Sequence, residues 1–170
     1  KGFDSRELFK GLQIEKNASY EKYLNKFDVI HFDVQWCFKE AGSAEKTVSF
    51  ITQTILAELR AIYGAVIPEH VDKVSGALSY ISAATGNKFV IIIDEWDVLI
   101  RDEATNKAVQ DEYIDFLRNL FKGVEPTKFI ALAYITGILP IKKYKTQSAL
   151  NNFDEYTMIG PGLMAPWIGF

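Results

Sequence analysis

Cysteine is almost absent from this sequence. The 170 residues contain one, Cys37, which excludes an internal disulfide and any cysteine-rich zinc site and favours a cytoplasmic setting. Long apolar runs are missing too. None approaches the ~20 residues that a helix needs to cross a bilayer, and the N-terminus carries no signal-peptide pattern. Membrane association is therefore not expected. Neither sign of charge dominates, and a net charge of −3 gives no general attraction to nucleic acid or to an anionic membrane. Repeats, low-complexity tracts and linkers are also lacking. The sequence begins Lys1-Gly2-Phe3 without an initiator Met and stops on Gly169-Phe170, so we expect a fragment of a longer chain.

What is present reads as globular. Apolar residues make up 48% and aromatics 14% of the sequence, unlike a disordered chain. A domain of this length buries roughly 70% of the surface that its unfolded chain exposes. The organising stretch is residues 88–97 (KFVIIIDEWD). Its unbroken apolar run suits a strand covered on both faces, as in a parallel sheet flanked by helices. Asp94 and Glu95 then fall at the carboxyl end of that strand, where open α/β sheets place their ligands. In P-loop NTPases this is the Walker B position, whose Asp serves Mg²⁺ and whose following Glu, in one large branch, polarises the attacking water. The same residues also fit an ordinary buried strand whose carboxylates cap the next helix. The stretch by itself leaves both readings open.

Taken in order, Ser5 caps a short predicted helix, and Asn17 or Ser19 caps a second over Tyr20 to Lys26. Phe27 to Gln35 reads as a strand with Val29, His31, Asp33 and Gln35 on one face. His31 and Asp33 suggest a metal pair, but without a third ligand a polar sheet edge is the better reading. Lys46 to Tyr63 is amphipathic, with Val48, Ile51, Ile55, Leu59 and Ile62 at helical spacing and Gly64 as a stop. Pro68 is expected to start another helix, closed near Gly86. After a polar turn (101–106), Val109 to Phe121 defines a helix ending at Gly123. Thr127 to Ile135 is a second apolar strand, tipped by Thr136 and Gly137. Lys142, Lys143 and Lys145 form a small basic cluster on a solvated face, and Glu155 to Ile159 could be a last strand. Strand, helices, strand, helix and strand in this order imply an α/β fold with a parallel sheet.

One segment imitates a phosphate-binding loop. Residues 40–47 (EAGSAEKT) end in Lys-Thr as a P-loop does. A P-loop needs glycines where this segment has Glu40 and Glu45, because glycine lets backbone N–H groups wrap the phosphates. Two carboxylates there would face an anion. The segment reads as a helix start.

Residues 3–12 (FDSRELFKGL), 90–97 (VIIIDEWD), 116–121 (FLRNLF), 135–143 (ITGILPIKK), 150–158 (LNNFDEYTM) and 165–170 (APWIGF) together resemble the bacterial AAA-ATPase-like family. The likeness covers nearly the whole chain, and it is specific because these motifs occur in the right order. It implies a partial P-loop NTPase of AAA-like type, an α/β three-layer sandwich with a mainly parallel sheet. The implied strand order is five-one-four-three-two. Phe27–Gln35 would be strand two, Phe89–Ile93 strand three, Lys128–Ile135 strand four and Glu155–Ile159 strand five. In the family a Gly-Lys-Thr P-loop lies upstream of the segment corresponding to Lys1. On this scheme strand one, which carries it, is missing, and residues 1–170 form one truncated domain.

The resemblance also implies roles. Asp94 would be the Mg²⁺-side carboxylate, Glu95 the general base or water-orienting residue, and Thr136 a sensor of the γ-phosphate or the attacking water. Thr136 also fits a plain strand-end turn residue beside Gly137. Asp97 is expected to cap or brace the loop after the strand, and Trp96 to pack beside the nucleotide pocket. Arg118 invites an arginine-finger reading, but its helical position favours a salt bridge or packing. Without a P-loop nothing here grips a triphosphate, so the chain alone is expected to bind ATP very weakly and not to hydrolyse it. Family members often carry a PD-(D/E)xK nuclease-like domain downstream, an implied partner in the same chain. These residues themselves hold no Asp followed by Glu-x-Lys on a suitable hairpin, and their charge gives no argument for nucleic acid. The unpaired edge beside strand four predicts association or oligomerisation. The alternative function is a non-catalytic interaction module on a degenerate NTPase fold.

Overall fold

The computed structural model describes residues 4–102, 106–141, 150 and 152–166. Its centre is a parallel sheet of β1 (Asp28–Asp33), β2 (Phe89–Asp94) and β3 (Ile130–Ile135), paired in that order. These are the segments expected as strands two, three and four, and they are neighbours as expected. Parallel strands need crossovers, and helices supply them. α1 (Arg6–Phe9) and α2 (Tyr20–Tyr23) precede β1. Next come α3 (Val34–Ala41), α4 (Ala44–Tyr63) and α5 (Val74–Thr85). After β2 lie α6 (Val98–Arg101), α7 (Lys107–Phe121) and the single turn α8 (Pro126–Phe129).

The sheet has two unequal faces. Phe89, Ile91 and Ile93 of β2 are buried to 1% or less, and they join Phe32 of β1 and the inner faces of α4, α5 and α7 in one core. On α4 that face is Ala44, Thr47, Val48, Ile51, Ile55, Leu56 and Leu59, the helical spacing read from the sequence extended by three residues. Ile62 departs from it and stands exposed. Val90 and Ile92 alternate to the other side and are half-buried. Their register partners there, Val29, His31, Leu132 and Tyr134, are exposed. The described residues thus form the sheet and one helical layer, leaving the second face of the apolar strand largely uncovered. Burying each large aliphatic side chain on the covered face contributes about 1.5–3 kcal/mol.

Several boundaries differ from expectation, each for a local reason. β1 stops at Asp33 rather than Gln35, because the Asp33 carboxylate accepts the Trp36 N–H at 2.9 Å and caps α3. That helix occupies the start of the false P-loop, so Glu40 and Glu45 lie on two helices joined through left-handed Gly42. Pro68 starts no helix. Residues 68–73 are a loop, and α5 begins at Val74. Thr127 to Phe129 belong to α8, and the strand starts at Ile130. Glu155 to Ile159 is irregular and exposed rather than a fifth strand. A strand needs a neighbouring edge to pair with, and Thr157 is engaged instead in a turn with Gly160. The cluster Lys142, Lys143 and Lys145 lies outside the described residues.

Tyr113 sits at the centre of the helical layer, fully buried, with no hydrogen-bond partner for its hydroxyl among the described residues. Burial, followed by the negative charges of Asp97 and Cys37, holds its ionisation well above the ordinary tyrosine range. Cys37 is likewise pushed up by burial, and by Asp33, from 9.0 to about 11. Both folded-state values exceed the unfolded ones, so this stability is complete below about pH 9 and declines as pH rises, when the unfolded chain releases these protons first. Tyr113→Phe is therefore expected to leave neutral-pH stability unchanged or raise it by about 1 kcal/mol, since it removes an unpaired buried hydroxyl. It should also shrink the alkaline loss. Thermal unfolding of both proteins at neutral and alkaline pH measures this, and a clear destabilisation at neutral pH would contradict it.

Candidate functional site

The carboxyl ends of β2 and β3 are held together beyond the strands themselves. The Thr136 N–H donates to the Ile93 carbonyl at 2.9 Å, and the Trp96 N–H donates to the Thr136 carbonyl at 3.0 Å. This extends the ladder by a step and sets Thr136 beside Asp94. The Thr136 hydroxyl donates to Asp94 Oδ1, which also accepts the Glu95 N–H at 3.1 Å. Asp94 Oδ2 accepts no hydrogen bond among the described residues. The three residues singled out for chemistry thus meet at one edge of the sheet.

Glu95 has a φ of +51°, the left-handed region that costs a non-glycine residue about 1–2 kcal/mol. The turn there takes the chain off β2 and sends Trp96 and Asp97 inward. Trp96 is 2% exposed and Asp97 fully buried. The Asp97 carboxylate accepts the N–H groups of Ile138 at 3.3 Å and Leu139 at 2.8 Å. The Trp96 indole N–H reaches the Leu139 carbonyl at 3.3 Å. Gly137 is clamped between them, and a Cβ there would lie 2.4 Å from Trp96 Cδ1 and 2.6 Å from Asp97 Oδ1. Residues 94–97 and 136–139 therefore fit together as one unit.

Arg101 is the member that the sequence reading missed. In the sequence it only begins a polar turn, yet in the fold it closes α6 with Nη2 3.1 Å from Glu95 Oε2 and Nε 3.0 Å from Asp97 Oδ2. The readable signal was the acid–base spacing of four between Asp97 and Arg101 on a helix.

No group of three His, Cys, Asp or Glu side chains able to hold an ion occurs among the described residues. Mg²⁺ usually keeps several waters and binds through one or two carboxylates together with phosphates. Asp94, with a free oxygen and the Thr136 hydroxyl alongside, is compatible with that arrangement.

Comparison with known sequences gives the family. Residues 2–146 match the profile of the AAA-ATPase-like family, described as "Predicted AAA-ATPase". The chain belongs to that family. Membership supports an ATPase-like domain and suggests nucleotide binding. A 77-residue stretch is 31% identical to an "Uncharacterized protein in vnfD 5'region" of Azotobacter chroococcum mcd 1, covering 45% of this chain but only 15% of that protein. No solved structure matches the chain.

Other candidates in this AAA-ATPase-like chain differ in their surroundings, although Asp33 ends β1 at the same edge, in register with Asp94. Arg118 pairs with Asp115 on α7, the salt bridge that its helical position suggested. His31 is exposed and Asp33 is the α3 cap. In the false P-loop, the Thr47 hydroxyl donates to the Ser43 carbonyl at 3.1 Å. A groove of about 820 Å³ between β1 and α4 includes none of Asp94, Glu95 or Thr136. No described helix is long and apolar enough to cross a membrane.

The bracing has a measurable consequence. Asp97→Ala removes the acceptor of the Ile138 and Leu139 N–H groups and leaves Arg101 without its buried charge partner, and losing such a charged hydrogen-bond acceptor costs roughly 1–3 kcal/mol. Gly137→Ala forces a methyl group into Trp96 and Asp97, an overpacking of about 1–3 kcal/mol. Urea unfolding should show both losses, and wild-type stability in either variant would contradict the bracing.

Proposed function

We propose that Asp94, Glu95 and Thr136 form the Walker B and sensor edge of a Mg²⁺-ATP-hydrolysing site, within a longer protein whose nucleotide state controls an attached effector. The observation that carries this reading is the Thr136–Asp94 hydrogen bond, with Glu95 adjacent, across the carboxyl ends of two neighbouring parallel strands. A merely structural strand end has no need of that constellation. Asp94 holds the metal side of the nucleotide, and the Thr136 hydroxyl keeps its carboxylate oriented. Glu95 orients a water and accepts its proton. Bound Mg²⁺ would neutralise charge on the phosphates as the γ-phosphoryl group departs.

The sequence has no Gly-x-x-x-x-Gly-Lys-[Ser/Thr] segment, so the grip on the triphosphate must come from residues outside it. These 170 residues alone are expected to bind ATP very weakly and not to turn it over. A nuclease-like domain in the same chain is the effector that the family resemblance suggests, and the setting is cytoplasmic. Direct contact with nucleic acid is left to other domains. Among the described residues β3 has an unpaired edge, which makes self-association a further expectation.

A second reading has its own support. Both acidic side chains already have partners within the chain, Thr136 and Arg101, as in a non-catalytic interaction module on a degenerate NTPase fold.

Mg²⁺-dependent ATP hydrolysis by this chain, and by the protein extended upstream in its own reading frame, separates the two. Turnover is expected only in the extended protein. Glu95→Gln should reduce it by about 10²–10⁴-fold, the usual loss for a positioned acid–base group. Turnover by these residues alone would overturn their predicted inactivity. Its absence from both proteins would favour the interaction module.

A further inference from the structure

Arg101 stands between two carboxylates in unequal surroundings. Asp97 is fully buried and fixed by the N–H groups of Ile138 and Leu139. The Glu95 side chain is 41% exposed, and Arg101 Nη2 is the partner of its Oε2. Its Oε1 accepts no hydrogen bond among the described residues. The Nε contact to Asp97 is an ion pair at 3.0 Å, too bent for a hydrogen bond, while the Nη2 contact to Glu95 is a hydrogen bond at 3.1 Å. One side of the guanidinium is thus anchored on a rigid buried charge, and the other holds a side chain that would otherwise move.

Resting on the ATPase reading above, we infer that Arg101 is a positioning residue for Glu95. A carboxylate on a flexible three-carbon reach occupies several rotamers in water, and fixing it before reaction removes that entropy from the barrier. The planar guanidinium carries the fixed position of Asp97 to Glu95 Oε2, while Oε1 is left to accept from water. Asp97 also holds the loop that follows Thr136. Glu95 and Thr136, from different strands, are therefore both referenced to a single buried carboxylate, and Arg101 is the link on the Glu95 side. Its role is exerted through Glu95 rather than on the nucleotide itself. Its shape matters as well as its charge, since a lysine ammonium has no planar fork to span both carboxylates.

The test uses the protein that carries this chain together with its P-loop. Mg²⁺-ATP kinetics and thermal melts are compared for Arg101→Ala, Arg101→Lys, Glu95→Asp and the Arg101→Ala/Glu95→Asp double variant. Both Arg101 variants are expected to lose about 10–100-fold in kcat, the scale of a small misplacement of a reacting group, with KM little changed and the protein still folded. Glu95→Asp is one methylene too short for Arg101, so adding Arg101→Ala to it should cause no further loss. Full kcat in either Arg101 variant, while Glu95→Asp is impaired, would overturn the positioning role and leave the ATPase reading standing. A further loss in the double variant, or a fall in kcat matched by loss of folded protein, would overturn it too. An unmodified protein that does not hydrolyse ATP would remove the ATPase reading and this role with it.

Discussion

A carboxylate taken wholly out of water must be answered by donors, and Asp97 is such a group. Its hydrogen-bond donors come from the loop after β3, and the Arg101 guanidinium at the end of α6 pairs with its charge. Removing a charge from solvent costs several kcal/mol, recovered only when the surrounding hydrogen bonds are in place. The two chain segments that leave the sheet are therefore not independent loops. Wherever Asp97 is satisfied, Ile138 and Leu139 lie against it and Gly137 passes beneath Trp96. Thr136 is then delivered to Asp94. The site at the sheet edge is a by-product of solving that burial.

The strained turn at Glu95 belongs to the same solution. A strand that simply continued would keep alternating its side chains between the two faces. A left-handed residue immediately after Asp94 breaks the alternation, so that Asp94 stays on the open edge while Trp96 and Asp97 turn into the core. Such an outlier is costly, and it persists because Trp96 and Asp97 are fixed so firmly on either side of Gly137. The ion pair with Arg101 then restricts the Glu95 side chain, which is partly open to solvent.

How much of this was legible in the sequence depended on how local the signal was. The β2 run was plain because an unbroken apolar stretch with a polar tip has few interpretations, and the helical spacing of α4 and α7 was equally clear. Ends were less so. The Asp33 cap was hidden because Val34, Gln35 and Trp36 read as easily in a strand as in a helix, and only the carboxylate's bond to Trp36 decides it. Pro68 has the form of a helix start, but the helical hydrogen bonds begin at Val74. The expected last strand could not be judged from its own residues, since a strand exists only with a partner. Asp94, Glu95 and Thr136 were readable as strand tips, but their mutual contact follows from the parallel register. Arg101 was within reach through its spacing of four from Asp97, but its contact with Glu95 depends on the left-handed turn that no residue type there announces.

The central claim is that nucleotide and metal meet the chain at the tips of β2 and β3. The most direct measurement replaces Mg²⁺ with Mn²⁺ in the protein that contains this chain and its P-loop, adds ATP, and records paramagnetic broadening of backbone amide resonances. The account predicts the strongest broadening at Asp94, Glu95 and Thr136, with the amides of the groove between β1 and α4 little affected. Sharp signals at all three tip residues, with broadening centred elsewhere, would contradict it.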